Sequence, residues 1–188
     1  MKSAERTKWI EAMDFELQHI KDNGTYKIRR TKNGNEAIGC RWAFEKKLDK
    51  DGTVIKFKAR LFAKGYLQIY CKDYKETFAP VAKFKSIRLL MTIAVHKGQT
   101  LFHDDVTGPF LNGILKEKVL MDQPEGYASG YQDNKWELQK TLYGLKQSPI
   151  EWNNVLHSFL TGQGLTKSKC DPCRYHKQTQ KSTLLVVI

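Results

Sequence analysis

No stretch of this chain is apolar for long enough to span a bilayer. Its most hydrophobic run, Leu184-Leu185-Val186-Val187-Ile188, falls far short of the about 20 residues a membrane helix needs. The N-terminus, Met1-Lys2-Ser3-Ala4-Glu5-Arg6, leads directly into a helical pattern, so neither a signal peptide nor a membrane partner is expected. Internal repeats and low-complexity linkers are absent. The four cysteines, Cys40, Cys71, Cys170 and Cys173, are too unevenly spread for a disulfide scaffold, which points to a reducing compartment. Cys170-Asp171-Pro172-Cys173 with His176 resembles half a zinc site, but a second ligand pair is missing and Cys173 reads better as a small buried hydrophobe. Acidic residues are also scarce: 20 against 32 Lys and Arg, a net charge of +12 over 188 residues. That excess points to a polyanionic partner, nucleic acid before membrane. The length suits one domain or part of a larger one.

Trp9, Met13, Leu17 and Ile20 recur at helical spacing from Thr7 to Lys21, with Asn23-Gly24 as a stop. Strands follow at Tyr26 to Ile28, Ile38 to Leu48 and Thr53 to Ala63. The last two are joined by Asp49-Lys50-Asp51-Gly52, a hairpin signature. Period-two alternation puts Ile55, Phe57, Ala59, Leu61 and Ala63 on one face and Lys56, Lys58 and Arg60 on the other. Such a cation row is either a solvated edge that resists aggregation or a surface that reaches phosphates. Ser86 is expected to cap a helix through Ile87, Leu90, Met91, Ala94 and Val95, stopped by Gly98. Strands are expected at Leu101 to Val106, near Val119 to Met121 and around Trp136 to Leu138. Ser148-Pro149-Ile150-Glu151 reads as a capping box for a helix carrying Trp152, Val155, Leu156, Phe159 and Leu160 and ending near Gly162 or Gly164. Ser182 to Ile188 reads as a buried strand.

The densest signal is Phe102-His103-Asp104-Asp105-Val106-Thr107-Gly108-Pro109-Phe110-Leu111-Asn112-Gly113. A carboxylate held at the end of a strand, ahead of a tight turn and a bulky ring, suits coordination of Mg²⁺ beside a nucleoside triphosphate. Aspartates at strand ends are also common turn formers.

Together the motifs resemble a known family. Trp9-Ile10-Glu11-Ala12-Met13, Lys58-Ala59-Arg60-Leu61, Ala63-Lys64-Gly65-Tyr66 with Gln68, Asp73-Tyr74-Lys75-Glu76-Thr77-Phe78-Ala79-Pro80-Val81, Asp105-Val106 with Phe110-Leu111-Asn112-Gly113, Gln123-Pro124-Glu125-Gly126-Tyr127, and Leu142-Tyr143-Gly144-Leu145-Lys146-Gln147-Ser148-Pro149 with Trp152 are similar, in order, to the reverse transcriptase of copia-type LTR retrotransposons. The resemblance spans essentially the whole chain.

It implies an α+β fold: fingers and partial palm of a right-hand polymerase, an antiparallel sheet packed with helices, residues 1–188 forming a single partial domain. Residues 1–80 or so would feed the fingers and 81–188 would be mostly palm. Asp105 matches the family's first metal-binding aspartate, for Mg²⁺ or Mn²⁺. Arg60 matches the arginine that grips the incoming triphosphate, with Lys58 or Lys56 as helper and Thr107 and Gly108 beside it. Phe110 matches the steric gate against a ribose 2′-OH, and Gly144, Lys146 and Gln147 match the loop under template and nucleotide. The implied partners are an RNA template, a DNA primer, deoxynucleoside triphosphates and the remaining Pol segments (rest of palm, thumb, RNase H). The implied location is a cytoplasmic particle or the nucleus.

In the family the strand resembling Leu184 to Ile188 runs into a Tyr-x-Asp-Asp hairpin that supplies further carboxylates. The sequence stops before it, so no activity is expected of the chain alone, and Asp104 is expected to point away from Asp105. Thr107-Gly108-Pro109 stands where the family usually has Lys-Thr-Ala, Ile150 replaces an arginine, and Cys71 replaces a glycine. A non-catalytic basic nucleic-acid-binding module, or the remnant of a degenerate element, is the alternative reading.

Overall fold

The computed structural model describes residues 5–31, 37–131, 133–180 and 182–188. Its elements run α1 (Arg6–Asp22), β1 (Tyr26–Arg30), β2 (Cys40–Leu48), β3 (Val54–Ala63), α2 (Phe84–His96), β4 (Ile114–Met121), β5 (Asn134–Lys140), α3 (Ser148–Gly162), β6 (Thr166–Lys167), β7 (Arg174–Gln178) and β8 (Thr183–Val187). This is an α+β chain whose three sheets are antiparallel: β1-β5-β4, the β2-β3 hairpin, and β6-β7-β8. No helix among the described residues is long and apolar enough to cross a membrane.

The main core forms where α1, the hairpin base and the β1-β5-β4 sheet meet. Ile20, Leu61, Leu111, Val119, Met121, Trp136 and Leu142 are among its buried members. Trp136 stacks on Tyr26 across the strand pair, ring centroids 3.7 Å apart. A smaller core joins Leu160 and Leu165 to Tyr175, whose hydroxyl meets His157 Nδ1 at 2.9 Å. The Gln123 to Tyr127 segment is a brace. The Gln123 side chain bonds Ser129 and Asn134, and the Tyr127 hydroxyl donates to Asp14 on α1 at 2.6 Å. Burial and that carboxylate push the Tyr127 phenol up to about 12.

Several expectations are corrected. Leu101 to Val106 forms no strand: no neighbouring strand pairs with it, and Phe102 is exposed. The opposition of Asp104 and Asp105, argued from strand alternation, loses its basis. Ser86 does not cap α2, which starts at Phe84 after Lys83; its hydroxyl bonds Asp171 instead. Ser148 opens α3 without a capping bond and donates to Leu142 O at 2.6 Å, while Glu151 pairs with Lys116 at 3.1 Å. Ser86 satisfies a partner far along the chain and Ser148 a carbonyl of the preceding loop, neither of which a capping pattern reveals. Phe159 is exposed on α3, and β8 is only half buried, with Leu184 exposed. Strands β6 and β7 lie where the sequence pattern predicts no strand.

Three backbone positions make sharp tests. Cys71 is the one non-glycine with positive φ among the described residues, at 65°, where the resemblance expects glycine. L-residues there cost about 1–2 kcal/mol, partly offset by glycine's greater freedom when unfolded. Cys71→Gly should therefore stabilise by about 0.5–1 kcal/mol in urea unfolding, and a loss of stability would contradict the reading. Gly65 and Gly144 touch so closely that a Cβ on Gly65 would lie 2.0 Å from Gly144 O, and one on Gly144, at φ 92°, would lie 2.2 Å from Ala63 O. Alanine at either should cost about 3 kcal/mol or more, against a near-neutral Gly162→Ala, where nothing lies within 4 Å.

Candidate nucleotide-binding site

The hairpin register turns the cation row into a face. Lys56 pairs with Lys47, Lys58 with Glu45, Arg60 with Ala43 and Phe62 with Arg41. Alternation therefore adds Arg41 and Lys47 to Lys56, Lys58 and Arg60, against Glu45 as the face's acid. The same period-two count on β2 would have found them. Glu45 is tied to Lys47 at 2.7 Å, which holds its carboxyl below the usual range. Lys58 is pulled down first by burial and then by Arg60 and Lys47, the signature of crowded like charges.

The opposite face is aromatic. Trp9 of α1 meets Phe44 and Phe57 edge-on at 5.2 and 4.7 Å. These contacts fix α1 along the outer edge of β3.

That edge decides where the cations aim. Leu61 N–H points outward to Glu16 Oε1 at 3.4 Å, and Ala63 N–H points outward to Tyr143 O at 2.8 Å. Between α1, this edge and the turn after Asp105 opens a cavity of about 570 Å³. Its walls include Lys56, Lys58, Arg60, Thr107, Gly108 and Tyr143. Five residues singled out from sequence therefore share one cavity.

Tyr143, to which the motifs assign no role, is the hub. Only 8% exposed, it receives the Arg60 guanidinium over its ring at 5.0 Å. Phe110 and Phe62 rings pack on it at 5.5 and 5.6 Å. Its phenol is pushed up first by burial; Arg60 opposes this, while Glu16 and Asp105 add to it. Asp105 is thus within electrostatic reach of the hub, although itself exposed. Gly108, at φ 61°, starts the short turn Pro109–Asn112 that lifts Phe110 onto Tyr143, and the Thr141 hydroxyl donates to Phe110 O to hold it.

Gly144 lies at the hairpin base, but Lys146 and Gln147 face the other way. Gln147 is 2% exposed; its amide donates to Asp73 O at 2.8 Å and accepts from Gln68 Nε2 at 2.9 Å. Gln68 Oε1 in turn accepts Lys146 N–H at 2.8 Å. Lys146 Nζ reaches the Tyr74 hydroxyl at 3.1 Å and sits over that ring. These bonds shape the loop from behind. Cys173 is fully buried and its thiol pushed up by burial, while Cys170 is exposed. Among the described residues no group of three or more His, Cys, Asp or Glu could hold a metal ion.

A family model described as reverse transcriptase (RNA-dependent DNA polymerase) matches residues 23–188. The chain is 35% identical over 185 residues to a retrovirus-related Pol polyprotein from transposon TNT 1-94 of Nicotiana tabacum, covering 98% of the chain and 14% of that relative. It is 37% identical over 183 residues to the corresponding polyprotein from transposon RE1 of Arabidopsis thaliana, covering 96% and 12%, and 36% identical to that from RE2. The chain thus spans a small part of the length of these relatives. No solved structure matches it.

The buried glutamine pair makes a clean test of the loop. Gln68→Ala or Gln147→Ala should each cost about 1–3 kcal/mol, because each leaves a buried polar group unpaired. The double variant should cost clearly less than the sum. Additive costs in urea unfolding would show that the two amides act independently.

Proposed function

The chain belongs to the reverse transcriptase (RNA-dependent DNA polymerase) family in its copia-type form, and from that membership we propose that it serves RNA-directed DNA synthesis as the segment that grips the incoming deoxynucleoside triphosphate. Residues up to about 80 would feed the fingers and the remainder most of the palm of a right-hand polymerase. The observation that carries the proposal is that Arg60, Thr107 and Gly108 line one cavity with Tyr143, while the Phe110 ring packs on the same tyrosine and Asp105 precedes the turn that brings them there.

Each residue has a chemical part. Arg60, planar and permanently charged, presents a fork of donors that matches phosphate oxygens, and the Tyr143 ring keeps that fork from folding away. Lys58 and Lys56 extend the positive wall. Thr107 and Gly108 bring backbone close to the phosphates, and Pro109 withholds one N–H there. Phe110, wedged against Tyr143, is the ring proposed to exclude a ribose 2′-OH. Gly144, Lys146 and Gln147 form the loop proposed to lie under template and nucleotide, the two side chains setting its shape from behind. RNA template and DNA primer would follow the basic hairpin face, and the other Pol segments would complete the enzyme.

Two-metal transfer needs several carboxylates around ions about 3.5–4 Å apart. Asp105 fits one ligand of such a site, for Mg²⁺ or Mn²⁺, and the described residues do not complete it.

Two measurements test the proposal. Arg60→Ala should weaken dATP binding to the 188-residue chain about tenfold or more, whereas Lys116→Ala should leave it unchanged. Equal affinities would remove the cavity as the triphosphate site. Primer extension by this chain with Mg²⁺ or Mn²⁺ should be absent; template-dependent incorporation lost in Asp105→Asn would show that a complete site exists after all.

A further inference from the structure

Glu16 is a buried carboxylate for which the proposed chemistry has no use. It leaves α1 on the apolar stripe between Met13 and Ile20, is 8% exposed, and accepts the outward N–H of Leu61. It lines the same cavity as Lys56, Lys58 and Arg60. Burial raises its pKa, opposed first by the Leu61 N–H and then by His19, Arg60 and Lys58. The titratable and charged groups facing it are therefore His19 on its own helix and Arg60 and Lys58 on β3, with the Tyr143 phenol across the cavity.

Anchoring the strand needs an acceptor and not a charge. An amide oxygen would take the Leu61 N–H as well, without the desolvation that a buried carboxylate suffers. The charge itself acts on the cations that share the cavity. Arg60 and Lys58 line the same cavity and offset the Glu16 charge electrostatically, whereas an incoming polyanion would be repelled by it.

We propose that Glu16 is a positioning residue of the triphosphate site, pinning the outer edge of β3 through Leu61 and acting as the counter-charge that a triphosphate displaces from Arg60 and Lys58. The inference rests on reading the cation face as a triphosphate site. Removing the charge while keeping the acceptor then tightens polyphosphate binding, an effect that loss of a merely structural anchor cannot produce.

The test uses the 188-residue chain at pH 8 as wild type, Glu16→Gln and Glu16→Ala. Affinity for inorganic tripolyphosphate is measured by calorimetry and protection of the Leu61 amide by native-state hydrogen exchange. Glu16→Gln should bind about threefold tighter or more while retaining Leu61 protection, and Glu16→Ala should expose Leu61 to exchange about tenfold faster. Glu16→Gln binding no tighter than a binding-competent wild type overturns the counter-charge alone. Unchanged Leu61 exchange in Glu16→Ala overturns the pin. A wild type that binds no tripolyphosphate overturns the triphosphate reading and the counter-charge with it, while the exchange measurement still decides the pin.

Discussion

An antiparallel hairpin with no third strand is marginal in water, because each of its strands keeps an outer edge of unpaired backbone groups. The β2-β3 hairpin is such a two-stranded sheet, and everything proposed for this chain depends on how the outer edge of β3 is closed. Leu61 N–H goes to a carboxylate on α1, and Ala63 N–H goes to the carbonyl of Tyr143. Just beyond the strand, Gly65 and Gly144 approach without room for a side chain. These contacts fix the ribbon to two different parts of the chain. Without them its cations would ride on a free hairpin.

The same closure explains why a tyrosine gathers the site. Its carbonyl completes β3, and its ring supports Arg60 on one side and Phe110 on another. A single residue thereby couples the hairpin to the turn after Asp105. The buried Gln68 and Gln147 amides, bonded to each other and to Asp73, keep the following loop in register with that arrangement. The geometry is built largely from backbone contacts and amides, with Arg60 presented to the cavity from the Tyr143 ring.

Much of this was legible in the residues. The periodicity of α1, the Asp-Gly turn and the alternation along β3 placed the helix, the hairpin and the cation row correctly, because each depends on neighbours in sequence. Tyr143 was not legible, since its importance comes from contacts with residues far away in the chain. Glu16 left a trace that periodicity could have caught: an acid between Met13 and Ile20 on an apolar stripe needs a partner. The segment from Leu101 to Val106 has strand composition, but a strand exists only where another supplies hydrogen bonds. Ser86 and Ser148 carry capping chemistry, yet a distant aspartate claimed one hydroxyl and a carbonyl of the preceding loop the other.

The central claim is that the hairpin cations and the Asp105 turn form one polyanion site around Tyr143. The most direct test is a titration of the ¹⁵N-labelled chain with dATP, followed by amide and side-chain chemical shifts. The account requires Lys58, Arg60, Thr107, Gly108 and Tyr143 to shift together along one binding curve. Shifts confined to cations elsewhere, such as Lys116, Lys118 or Lys27, with the Tyr143 cluster silent, would contradict it.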